Sequence, residues 1–168
     1  IYYSENGGNY ANGTPRYASR MLTDSIATAI VNDIRASYEP RWTRRAMWDK
    51  TYYEARVPQV PALLLELLSH QNFADMKYGL DPSFRFTVSR AIYKGMLKFI
   101  ANRDNREYVV QPLPINSFAI AKEGSAKYIL SWEATIDQQE STANPTYYIV
   151  EERINDGEFK EIARVEST

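Results

Sequence analysis

Apolar residues recur every four positions at Leu22, Ile26, Ile30 and Ile34, with Ala18, Ala29 and Asp33 close by. That spacing lines one face of a helix and predicts an amphipathic helix ending around Ser37. Thr14 followed by Pro15 predicts its start, a hydroxyl cap ahead of a proline in the first turn, and Pro40 closes it. A second helical repeat runs through Val88, Ile92, Met96, Phe99 and Ile100. Asp81 and Pro82 open it, and the polar stretch Asn102 to Asn105 ends it. Between these helices, Phe73 to Tyr78 predicts a short third one. Val60 to Leu68 is apolar without helical spacing, and Val57-Pro58 and Val60-Pro61 push its start into extended geometry. It predicts a buried strand. Ile1 to Ser4 predicts a strand end, and Glu5 to Thr14, rich in Gly and Asn, predicts a loop.

The pattern changes near residue 106. From Tyr108 onward the chain shows short alternating segments separated by turn signals. Ser117 to Ile120, Tyr128 to Trp132, Tyr147 to Glu151 and Phe159 to Val165 predict strands, and Asn155-Asp156-Gly157 predicts a hairpin turn. Gln111-Pro112-Leu113-Pro114 predicts a stiff linker. The expected domains are therefore 1–106, mixed α/β, and 107–168, all-β. There is no internal repeat and no low-complexity tract.

One residue interrupts the apolar run. Glu66 stands near the end of Pro61-Ala62-Leu63-Leu64-Leu65-Glu66-Leu67-Leu68. Burying an unpaired carboxylate is costly. Glu66 is therefore paired, protonated, or at a strand end facing a site, where it would serve as a general acid/base or a metal partner. The alternative is a shorter strand with Glu66 on a solvated edge, and the pattern leaves both open. The segment Arg41 to Arg56 interleaves arginines with Trp42, Trp48, Tyr52 and Tyr53. Such a mixture can bind phosphates, carboxylates or stacked sugars. The blander reading, a surface loop with both tryptophans turned into the core, has the better of it because Trp buries deeply.

Composition narrows the function. The 168 residues carry a net charge of -1, with Lys and Arg scattered along the chain, which argues against a general nucleic-acid binder. The 13 Tyr and 3 Trp suit core and rim packing before sugar contacts. The absence of Cys excludes disulfides, thiolate metal sites and a Cys nucleophile. No apolar run approaches the ~20 residues of a membrane-spanning helix. His70 is the single histidine, and one imidazole makes no metal site, so a structural role is its first reading. The opening Ile1-Tyr2-Tyr3 reads as mid-strand, which leads us to expect a fragment of a longer protein.

Two resemblances follow from these motifs. The stretch Pro61-Ala62-Leu63-Leu64-Leu65-Glu66, with Asn72 six positions on, resembles zinc-dependent N-acetylmuramoyl-L-alanine amidases. Ala91-Ile92-Tyr93-Lys94-Gly95-Met96 is similar to that family's terminal helix, and Ser19-Arg20-Met21-Leu22 to the helix after its zinc-binding half. Residues 1–104 thus resemble the C-terminal half of the catalytic domain, which implies a three-layer α/β piece. Pro114-Ile115-Asn116, Ile129-Leu130-Ser131-Trp132, Asp137 and Pro145-Thr146-Tyr147-Tyr148-Ile149-Val150 resemble the first half of a fibronectin type III domain. A complete sandwich of that kind has about seven strands. The four expected here leave sheet edges open, to be covered by another chain or by homo-oligomerisation.

The amidase resemblance implies a function. The substrate is peptidoglycan, and the bond cut joins muramic acid to the L-alanine of the stem peptide. Glu66 takes a proton from a zinc-activated water and later returns it to the leaving amine. Arg56, His70 and Asn72 are candidate substrate contacts, with a surface ion pair for Arg56 and a loop-bonding role for Asn72 as the competing readings. The implied location is the cell envelope or outside the cell. Leu68-Ser69 stands where the family has Gly-Phe, and His70-Gln71 replaces a hydrophobic and a hydroxyl residue. The family's zinc ligands fall upstream of a strand like Ile1-Tyr2-Tyr3, so this chain alone is expected to bind no catalytic zinc. A non-catalytic module binding cell wall or another polysaccharide is the alternative, and a polysaccharide lyase ranks last.

Overall fold

The computed structural model describes residues 1–167 as two compact units, Ile1–Tyr108 and a second beginning at Val109. The first unit is built on two long helices. Helix α1 spans Tyr17–Ser37. Its first turn is set by backbone bonds, Ala18 N–H to Pro15 O and Ser19 N–H to Arg16 O, and no side chain caps it. The expected Thr14 cap is absent because the loop uses that residue: Thr14 O accepts from Tyr10 N–H, and Thr14 N–H donates to the Asn12 side chain.

Short elements follow. Strand β1 is Tyr2–Tyr3 and strand β2 is Trp48–Asp49, and they pair in parallel. Helix α2 is the single turn Tyr53–Arg56, and helix α3 spans Phe73–Gly79. Both β2 and α2 lie in the segment expected to be a loop. Helix α4 spans Pro82–Asp104. Its start matches the expectation from sequence: Asp81 accepts from Ser83 N–H at 2.8 Å, with Pro82 in the first turn. It stops at Asn105, whose left-handed backbone (φ 50°) closes the last turn.

The core is the seam between α1 and α4. Ala18, Leu22, Ile26, Ile30 and Ile34 meet Phe84, Val88, Ala91 and Phe99. The α1 face is the one its spacing predicts. The α4 face is turned from its prediction: Met96 and Ile100 are exposed, and the seam runs through Ala91 and Gly95 instead. Gly95 explains the rotation. A Cβ built there would lie 2.6 Å from Ile26 Cα, so the helix backbones approach too closely for any side chain. Ser25 Oγ then reaches across to Gly95 O at 2.8 Å.

This contact gives a prediction with an inverted sign. Gly→Ala inside a helix ordinarily stabilises by about 1 kcal/mol. Gly95→Ala is expected instead to cost about 2–3 kcal/mol through forced helix separation. Urea unfolding of the two chains checks it, and an unchanged midpoint would contradict the close packing.

Val60 to Leu68 forms less strand than expected. Only Leu64 pairs, antiparallel to Tyr2, through Tyr2 N–H to Leu64 O at 2.9 Å and Leu64 N–H to Tyr2 O at 2.8 Å. Pro58 and Pro61 lack the N–H a ladder needs, and β1 offers only a two-residue edge. The run is still extended, and its alternation decides where Glu66 goes. Leu63, Leu65, Leu67 and Leu68 pack on the helix core. Glu66, between Leu65 and Leu67, faces away from it.

The second unit contains two hairpins. Strands β3 (Asn116–Glu123) and β4 (Lys127–Glu133) pair antiparallel, as do β5 (Tyr147–Glu152) and β6 (Lys160–Glu166). These are the predicted strands, with β3 longer by several residues. Trp132 meets Tyr148 edge to face, with ring centroids 5.3 Å apart, which joins the two hairpins. Val110 N–H donates to Thr142 Oγ1. Phe118, Ile120 and Tyr128 on the first hairpin remain exposed.

Candidate functional site

Glu66 opens onto a cleft of about 800 Å³ in the first unit. Two chain segments form much of its lining. One is the connection after α1, with Glu39, Arg41, Trp42, Thr43, Arg44 and Arg45. The other is Leu65 to His70, continued by Asp75 of α3. Helix α1 contributes Ala27, Ile30 and Val31. The apolar alternation that places Leu65 and Leu67 on the core leaves Glu66 exposed. The carboxylate therefore avoids the burial cost that made it conspicuous in the sequence.

The Arg41–Arg45 wall is pinned at two points. Arg35 Nε donates to Trp42 O at 2.7 Å. Arg44 pairs with Asp24 and donates to Thr28 Oγ1 at 3.1 Å, both on α1. Trp42 is half-buried and packs on Tyr78 and Phe84, with centroids 5.6 and 6.0 Å away. Trp48 stacks on Tyr2. The Arg45 guanidinium lies 5.6 Å from the Trp48 ring centre. Trp42 therefore packs on the core, as the blander reading has it, and also lines the cleft, whereas Trp48 lies half-buried against Tyr2 and not in that core.

The structure separates the remaining candidates. His70 is exposed and lines the cleft with Glu66. Asn72 caps α3: its Oδ1 accepts from Ala74 N–H at 2.9 Å and from Asp75 N–H at 3.4 Å. That is the loop-bonding role. Arg56 ends α2 and does not line the cleft, and its carbonyl accepts from Arg16 at 3.0 Å. Sequence reasoning passed over Asp75. Its Oδ2 accepts from Ser69 N–H at 2.9 Å and so fixes the turn that carries His70. An acidic residue three positions after an Asn cap was the available signal.

Compared with known proteins, the chain matches no family model, no curated protein and no solved structure. No helix among the described residues is long and apolar enough to cross a membrane.

The side chains do not by themselves fit a zinc ion. Among the described residues no group of three His, Cys, Asp or Glu is placed to hold a metal. A catalytic zinc site takes three protein ligands. Glu66 and His70 share the cleft with Asp75, whose carboxylate is already engaged by Ser69.

Ser19 anchors the segment leading to Glu66. Buried in the first turn of α1, its Oγ bonds Tyr10 Oη at 2.5 Å and accepts from Ala62 N–H at 3.1 Å. One hydroxyl thus joins the Gly-rich loop, α1 and the start of the Leu63–Glu66 run. Ser19→Ala is expected to destabilise by about 1–3 kcal/mol, since buried partners lose their bonds. Thermal unfolding measures this, and a loss under 0.5 kcal/mol would remove Ser19 from that role.

Proposed function

We propose that this chain supplies the proton-transfer half of a zinc-dependent N-acetylmuramoyl-L-alanine amidase, followed by a fibronectin type III-like partial sandwich. The observation that carries the reading is the place of Glu66. It follows the Pro-Ala-Leu-Leu-Leu run and stands solvent-accessible in a cleft large enough for a peptide segment. Because this chain's residues do not fit zinc, the ligands under this reading belong to chain outside the sequence. What the chain itself does is confined to its own groups. Glu66 accepts a proton from the attacking water and delivers it to the amide nitrogen as the carbon–nitrogen bond breaks. The products are the muramic carboxylate and a stem peptide with a free L-alanine amine. His70, beside Glu66, contacts the substrate. Asn72 acts indirectly, by holding the turn through α3. Arg56 has no place in the cleft. The site of action is the cell envelope or its exterior.

A second reading has its own observation. Trp42 and the arginines Arg41, Arg44 and Arg45 line the cleft, a basic-aromatic surface that suits a non-catalytic wall-binding module. Digestion of purified peptidoglycan distinguishes the two. Zinc and the protein that carries this chain are expected to generate new L-alanine amino termini. Retention on peptidoglycan without new termini would support the binding module instead.

A further inference from the structure

The cleft holds more cation than a proton-transfer group needs. Arg41, Arg44 and Arg45 stand within five residues of each other on one wall. Arg44 is committed to α1, through Asp24 and Thr28. Together with the Arg35 bond to Trp42 O, it makes that wall a fixed platform. Arg45 makes no ion pair within 4.0 Å among the described residues, and its guanidinium rests near the Trp48 ring. Arg41 sits at the rim, its Nε 3.6 Å from Glu39, on a side chain 92% exposed. Guanidinium groups on a fixed backbone suit a planar carboxylate, which they bind through paired N–H groups. Glu66 stands on the other segment, so the cleft has a cationic wall and an acidic one.

We propose that Arg45, assisted by Arg41, forms a carboxylate-binding subsite of the Glu66 cleft that selects peptides with free carboxylates over their amidated forms. The choice of peptide rests on the amidase reading; the acid preference rests on the arginines. A carboxylate held at Arg45 orients the rest of the peptide toward the Glu66 wall. Repulsion by Glu66 keeps that carboxylate on the cationic side. Arg45 is here a positioning residue for the ligand, and it moves no proton.

The test is calorimetric titration of the full chain with a soluble muramoyl stem peptide and with the same peptide amidated at its carboxyl groups. The acid form is expected to bind about tenfold more tightly at low salt, with the preference shrinking as salt rises. Arg45→Gln should abolish the preference and Arg41→Gln reduce it, while Lys98→Gln, exposed on α4, should keep it. Equal affinity for the two peptides, a preference that survives Arg45→Gln, or no binding of either peptide would overturn the subsite. The two proposals fail separately. An acid preference without hydrolysis by the zinc-supplied protein removes the amidase and keeps the subsite. Hydrolysis that ignores amidation does the reverse.

Discussion

Lys94→Ala is expected to destabilise the first unit by about 3–5 kcal/mol, the usual loss when one partner of a buried ion pair is removed. Lys94 on α4 is 5% exposed and Asp33 on α1 is 7% exposed. The ammonium lies 2.9 and 2.7 Å from the two carboxylate oxygens. Truncation leaves the Asp33 carboxylate in the helix seam without that ammonium. Domains are commonly stable by only about 5–15 kcal/mol. The change would therefore bring the unit near its unfolding threshold. The pair itself need not be a net gain over apolar packing. The double change Asp33→Leu with Lys94→Met is expected to recover most of the stability, because both desolvation penalties disappear together. Chemical denaturation of wild type, single and double variants checks both statements. A mild single variant, or a double variant worse than the single, would contradict the account.

The ion pair shows where sequence reading reached and where it stopped. Asp33 lies beside the apolar face of α1 and Lys94 within the motif of α4, so both were visible as polar residues near helical seams. Their meeting depends on how α4 is rotated, and Gly95 decides that through a contact 69 positions away in sequence, at Ile26. Periodicity alone chose Ile92, Met96 and Ile100, since it weighs side chains and a glycine contributes none. Asp81-Pro82 marked the start of α4 because cap and proline are local chemistry. Thr14-Pro15 misled for the complementary reason: Thr14 was already bonded to the Gly-rich loop. The long apolar run was legible as extended chain. Its pairing was not, because β1 offers it only Tyr2, a long-range fact.

At the site, Glu66 was legible as an anomaly, and the alternation of Leu63, Leu65 and Leu67 resolves it. The basic-aromatic segment was legible as a type of surface, but its place opposite Glu66 was not. That placement follows from the Arg44 bonds to α1 and the Arg35 bond to Trp42 O. Arg56 shares the composition of the segment and falls away from the cleft because α2 turns the chain there.

Glu66→Ala is expected to lower turnover by about 10²–10⁴-fold, the range for losing a positioned acid–base group. Stability should change by less than about 0.5 kcal/mol, because the side chain is exposed and makes no hydrogen bond among the described residues. That combination separates a chemical role from a structural one. Ser19→Ala loses stability first, and Lys94→Ala loses it most. Glu66→Ala should lose activity alone. Glu66→Gln keeps the size and hydrogen-bonding reach of the side chain but not its basicity. It should be as inactive as the alanine variant if the carboxylate moves the proton.

The decisive measurement is the rate at which free L-alanine amino termini appear when purified peptidoglycan is treated with zinc and the protein that carries this chain, beside its Glu66→Ala form. The account predicts release by the first and at least a hundredfold less by the second, with matching unfolding curves. Equal release by both forms, or none from a folded wild-type protein, would contradict it.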